Sequence, residues 1–116
     1  MNDQPIFDKA GALERVEDDT ELFFELIEMF FEDYDEQVTS IQSAISSSAA
    51  KELEETAHSI KSALGNIGAM KAYSLAYELE KLGREGSPNE GADLLGQLKE
   101  SISLFQEEVE SFRSSL

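Results

Sequence analysis

The chain has 116 residues, 41% of them hydrophobic, no cysteine and a formal net charge of −16. That is enough for one core and one domain spanning residues 1–116, and it excludes disulfides and thiolate metal sites. The acidic balance argues against nucleic acid as a partner, which would need clustered Lys and Arg, and no apolar run approaches the ~20 residues that span a bilayer.

The opening MNDQPIFDKAG lacks the pattern of a signal peptide, and a cytoplasmic, reducing location is expected. Phe7, Ala10, Leu13 and Val16 recur at steps of three and predict a short amphipathic helix over about 7–16. Asp18, with Glu21 three residues on, has the spacing of a capping box. A second helix then runs to about Ile45, with Phe23, Leu26, Ile27, Phe30, Tyr34, Val38, Ile41 and Ile45 on one face. Phe24, Met29 and Phe31 fall off that face, as wider packing or as a docking patch.

Three serines follow, and Ser48 is placed to cap a third helix over Ala49–Ile67. In this helix Leu53, Ala57, Ile60, Leu64 and Ile67 form the core-facing stripe. Gly68 is the expected terminating glycine. A fourth helix runs from about Ala69 to Arg84, its inner face made by Ala72, Leu75, Ala76, Leu79 and Leu82 and flanked by Tyr73 and Tyr77. Small alanines there let a neighbouring helix come close. Gly86 closes it, and Ser87-Pro88-Asn89-Glu90 reads as N-cap, N1 proline and N3 glutamate of the last helix. That helix carries Leu95, Leu98, Ile102, Phe105, Val109, Phe112 and Leu116. The expected architecture is all-α: an antiparallel up-down four-helix bundle (about 19–115) with the short N-terminal helix as a lid.

The one histidine, His58, lies on the third helix. At about 100° per residue it falls roughly 140° from the middle of the apolar stripe, which turns it toward solvent. Lys61, Ser62 and Gly65 share its outward arc at i+3, i+4 and i+7. Charge is distributed unevenly around it. Residues 1–50 carry 13 acids against two bases, whereas five of the nine basic residues (Lys51, Lys61, Lys71, Lys81 and Arg84) sit on the His58 helix or the next.

Most chemistries of histidine do not fit. A slim bundle filled with Leu, Ile and Phe offers no pocket for a Ser-His-Asp triad. A single histidine does not make a zinc site or a di-metal carboxylate site. No glycine-rich phosphate loop is present, so the chain has no visible means of binding ATP. A lone exposed imidazole can, however, act as a nucleophile toward a phosphoryl group. Lys61 would offset the incoming charge, and Ser62 and Gly65 would leave room. A glycine within a helix costs about 0.5–1 kcal/mol relative to alanine, which suggests close approach by something. Glu54 at i−4, or equally a residue of the next helix, could hold the other ring nitrogen. Each of these residues alone also has a bland reading, as a solvated charge or a fraying helix end.

The run Ala57-His58-Ser59-Ile60-Lys61-Ser62-Ala63-Leu64-Gly65-Asn66-Ile67-Gly68-Ala69, followed by Ala76 and Leu79-Glu80, resembles the histidine phosphotransfer (HPt) domain. His, Lys, Gly-Ala and Leu-Glu fall in register with that family's pattern. Ser62 stands where glycine is commonest and Ala72 where leucine is usual. The resemblance implies a phosphoprotein of two-component signalling, a relay intermediate rather than an enzyme with its own ATP site. His58 would take a phosphoryl group from the aspartyl phosphate of one receiver domain and pass it to the aspartate of another. Lys61 would neutralise the phosphoryl oxygens, and Gly65 would keep the approach open. Implied partners are response-regulator receiver domains and a hybrid sensor histidine kinase. Phe24, Phe31 and Lys71 are candidate docking residues. The chain would need no cofactor of its own, magnesium belonging to the receiver, and would act as a monomer. The His-Glu…Thr-Pro signature of a kinase's own dimerising helix pair is absent.

Two other readings stay open on the residues alone. One is a non-catalytic bundle that binds a partner through Phe24, Phe31 and the acidic first half. The other is a hydrolytic or metal-dependent enzyme. On the phosphotransfer reading, Lys61→Ala is expected to slow transfer without unfolding the bundle, because an exposed lysine contributes little to stability.

Overall fold

A computed structural model describes residues 4–116; Met1, Asn2 and Asp3 of the opening stretch lie outside the described residues. Five helices form in chain order: α1 (Lys9–Arg15), α2 (Thr20–Ser46), α3 (Ala50–Asn66), α4 (Met70–Glu85) and α5 (Ala92–Ser114). The last four make the antiparallel up-down bundle, a rod about 44 Å long, with no strand among the described residues. No helix among these residues is long and apolar enough to cross a membrane.

The predicted stripes of the long helices supply the core, with Leu82 only half-buried, while in α1 Ala10 is exposed and Ala12 is the buried residue. Leu53, Ala57, Ile60, Leu64 and Ile67 of α3 are buried, as are Ala72, Leu75, Ala76 and Leu79 of α4 and Leu95, Leu98, Ile102, Phe105 and Val109 of α5. Leu116 is exposed, because α5 stops at Ser114 before the stripe reaches it. The N-terminal segment closes one end. Phe7 stacks on Phe23 and meets Phe105 edge-on, with ring centroids 5.8 and 5.2 Å apart. Its backbone is tied to the α3–α4 turn by Asp8 N–H to Gly68 O (2.8 Å) and Lys71 N–H to Pro5 O (2.9 Å).

Three predicted helix starts differ, for one shared reason: a polar residue expected to begin a helix is used in the turn before it. Asp18 adopts a left-handed φ of 63° and helps end α1, so Asp19 caps α2 by accepting from Leu22 N–H at 3.0 Å. Ser48, at φ 56°, ends α2, with Ala49 N–H reaching back to Ala44 O. Helix α3 therefore starts with no side-chain cap. Pro88–Glu90 folds into a separate 3-10 turn, and α5 begins only after Gly91. Gly68 and Gly86 end α3 and α4 as expected, with φ of 81° and 78°.

Helices α3 and α4 make the closest pair in the bundle. A Cβ on Gly83 would sit 2.5 Å from Glu54 N and 2.7 Å from Ala50 O, so the two backbones touch there. At the other end Gly65 faces the Tyr73 ring. This antiparallel register puts Glu80 opposite His58. Gly83→Ala is expected to destabilise by about 1–3 kcal/mol despite the helix propensity it gains, because the clashing atoms are backbone and cannot yield. A urea midpoint equal to or above that of wild type would refute the contact.

Candidate functional site

His58 projects from the middle of α3 with 60% of its side chain exposed. Its Nδ1 lies 3.0 Å from Glu80 Oε2 of α4. Glu80 is only 5% exposed and sits within the buried stripe of its helix. A carboxylate placed there needs partners, since an unpaired buried charge is costly. It has three. Besides His58, Lys61 Nζ lies 2.7 Å from Oε1 and Arg84 Nη2 donates to Oε2 at 3.1 Å. The Lys61 contact is held by charge, without an aligned hydrogen bond.

Burial alone would raise the Glu80 carboxyl. The close contact and positive charge of Lys61, together with the bond from His58, outweigh it and hold the group below its ordinary value. Glu80 is thus ionised at neutral pH, and a carboxylate can only accept. The proton of a neutral His58 ring therefore sits on Nδ1, and Nε2 keeps its lone pair with no protein partner. The imidazole is oriented by a fixed anion beneath it and opens above onto a shallow groove lined by Glu54, Glu55, His58 and Glu80.

The ring's orienting partner is Glu80, not Glu54. Glu54 instead accepts from Arg84 Nε at 3.2 Å. The i−4 position does share the outward face of His58, but the close α3–α4 approach brings the other carboxylate directly under the ring. Lys61 also departs from its predicted exposure. Only 14% of its side chain is accessible. It runs along the α3–α4 seam, with Nζ 5.1 Å from the Tyr77 ring centroid and 5.9 Å from that of Tyr73.

Gly65 is buried, and the group that approaches it is Tyr73, whose ring would be 3.2 Å from an added Cβ. The missing side chain makes room for an internal contact rather than for a visitor. Ser62 is exposed, and its hydroxyl donates to His58 O at 3.2 Å, folded back on its own helix.

Phe24 and Phe31 do not join the site. Phe24 packs on Phe112 of α5 beneath Arg113, and Phe31 lies with Tyr34, Lys99 and Gln106 in the α2–α5 groove. Wider packing explains both rings, whereas Met29 is exposed. Lys71 is in the first turn of α4, nine residues and about 13 Å along the helix from Glu80. Among the described residues no group of three or more His, Asp or Glu is placed to hold a metal ion.

Comparison with known proteins agrees with this geometry. The family described as the Hpt domain matches residues 25–108. The fold is similar to the crystal structure of histidine-containing phosphotransfer protein B (HptB) from Pseudomonas aeruginosa PAO1, with a TM-score of 0.85 over 97% of each chain at 24% identity. No curated protein matches the chain.

Proposed function

The chain belongs to the Hpt domain family, and on that premise we propose that His58 is the residue that carries its phosphoryl group. The function is histidine phosphotransfer in a phosphorelay, and Hpt domains work with receiver domains and kinases of two-component systems. A non-catalytic interaction module is not favoured. The observation that carries the assignment is the His58–Glu80 bond, which occupies Nδ1 and leaves Nε2 free on an exposed ring.

The Nε2 lone pair attacks the phosphorus of a receiver's aspartyl phosphate. The Nε2–P bond forms as the acyl oxygen–phosphorus bond breaks, and that bond's electrons leave with the aspartate carboxylate. The ring becomes cationic while its proton stays on Nδ1, against Glu80. This anion is therefore most stabilising when the ring carries charge. In the second transfer an aspartate oxygen of another receiver attacks phosphorus, and the Nε2–P electrons return to a neutral ring. Lys61, one helical turn from His58 and held on Glu80 by charge, turns from Oε1 to the phosphoryl oxygens. Magnesium belongs to the receiver in this scheme, and the chain supplies no cofactor. It acts as a cytoplasmic monomer between receivers and a hybrid sensor histidine kinase, with no nucleic acid and no membrane insertion.

Incubation with a phosphorylated receiver domain should transfer acid-labile, base-stable label to the wild-type chain; no label would overturn the proposal. Lys61→Ala should slow transfer about 10-fold or more. Contrary to the expectation for an exposed lysine, it should also lower stability by about 1–3 kcal/mol, because Glu80 Oε1 loses its cation. Transfer rate and urea midpoint both at wild-type values would count against Lys61.

A further inference from the structure

The Glu80 carboxylate has two cations for partners, and they use different oxygens. Lys61 approaches Oε1, whereas Arg84 and His58 share Oε2. Arg84 is 54% exposed, a degree of exposure at which an ion pair adds little to stability. Yet one edge of its guanidinium reaches two carboxylates on two helices, Nε to Glu54 of α3 and Nη2 to Glu80 of α4. Glu54, whose own side chain is partly exposed, thereby fixes the fork that enters the buried acid.

We propose that Arg84 is a positioning residue for phosphotransfer: it keeps a cation on Glu80, at Oε2, when Lys61 leaves Oε1 for the phosphoryl group. The inference rests on the His58 reading above. Glu54, Glu80, Lys61 and Arg84 together carry two negative and two positive charges, so the cluster is balanced before transfer. The phosphoryl group brings negative charge to Nε2, and Lys61 is the cation one helical turn from His58 on the same helix. With Arg84 absent, moving Lys61 would strip a buried carboxylate of both cations, so Lys61 would be retained at Oε1. With Arg84 present, Lys61 departs without disturbing the His58–Glu80 bond, because that bond is on the other oxygen. The ring proton then stays on Nδ1 throughout.

The test is single-turnover transfer from a receiver domain phosphorylated with acetyl phosphate, with receiver concentration varied. Wild type, Arg84→Gln and Arg84→Lys full chains are compared, alongside 15N spectra of the His58 ring. Arg84→Gln should lower the saturating rate about 5- to 10-fold and leave the half-saturating receiver concentration within about twofold, as for a group that acts on the transition state rather than on docking. Its resting ring spectra should keep the Nδ1–H form, because Lys61 stays on Oε1 and the carboxylate can only accept, so the loss of rate is not a loss of tautomer. Arg84→Lys, which keeps the charge, should recover part of the rate. Label on wild type together with an unchanged saturating rate in Arg84→Gln would overturn the role of Arg84 alone. A change confined to the half-saturating concentration would overturn it too, making Arg84 a docking contact. Absence of label on wild type would overturn the His58 assignment itself.

Discussion

His58→Gln should take no label from a phosphorylated receiver, while its circular dichroism and urea midpoint stay close to those of wild type. The loss should be total because the chain has no second imidazole. The hydroxyl of Ser62 points back to the backbone, and the nearby lysine carries a positive charge at neutral pH and no free lone pair. Stability should change by no more than about 1 kcal/mol, the net worth of one hydrogen bond to Glu80. The ring is 60% exposed, and the amide of glutamine can still donate to Glu80. The two readouts separate the phosphotransfer reading from an interaction module. A module would bind its partner equally well with glutamine at this position and would show no label on either chain. Equal label on wild type and His58→Gln would move the acceptor elsewhere.

The face that carries His58 was legible in the sequence because it depends only on helical periodicity. Steps of three and four along Leu53–Ile67 determine which side is inward, and every residue of that stripe is buried. What periodicity cannot supply is how close the neighbouring helix comes. Gly65, seven residues from His58, does share its angular sector, but Tyr73 of α4 closes over it. Lys61 starts outward and is drawn along the seam by Glu80. Helix starts failed differently. Asp18, Ser48 and Ser87 are good caps by type, but the preceding turn uses each of them, and local propensity does not say which helix has first claim on a polar residue.

Glu80 was only half visible. It belongs to the Leu79-Glu80 pair in the family pattern, and the residues alone allow the ring to be held by the next helix as readily as by Glu54. The stronger signal is internal to α4. Ala72, Leu75, Ala76, Leu79, Glu80 and Gly83 are the buried residues of that helix, so one acid interrupts an otherwise apolar and small-residue face. A charge in such a stripe implies buried partners, and the only histidine of the chain lies on the preceding helix. Gly83 completes the signal, since a glycine one turn beyond the acid is where the backbones come into contact.

The largest loss of stability at the site should come from Glu80→Ala. Removing one member of a buried charge cluster leaves the others uncompensated, which typically costs about 3–5 kcal/mol. Lys61 Nζ and the fork of Arg84 would both lose their shared acceptor. Glu80→Gln keeps the shape and separates folding from chemistry. Its neutral amide can accept from Nδ1–H or donate to Nδ1, so the tautomer is no longer imposed. A charge-assisted hydrogen bond to the cationic ring is worth about 1.5–3 kcal/mol, and its loss should slow transfer roughly 10- to 100-fold. The two proteins should also differ in acid. The folded-state carboxyl of Glu80 lies below its ordinary value, so its contribution to stability is present above the unfolded-state pKa near 4.5 and is lost as pH falls through the lower folded-state value. Wild type should therefore lose urea stability more steeply than Glu80→Gln below about pH 4.5. Parallel acid limbs would mean that Glu80 is not held ionised by its partners. An unchanged transfer rate in Glu80→Gln would mean that the bond to Nδ1 does not prepare the ring.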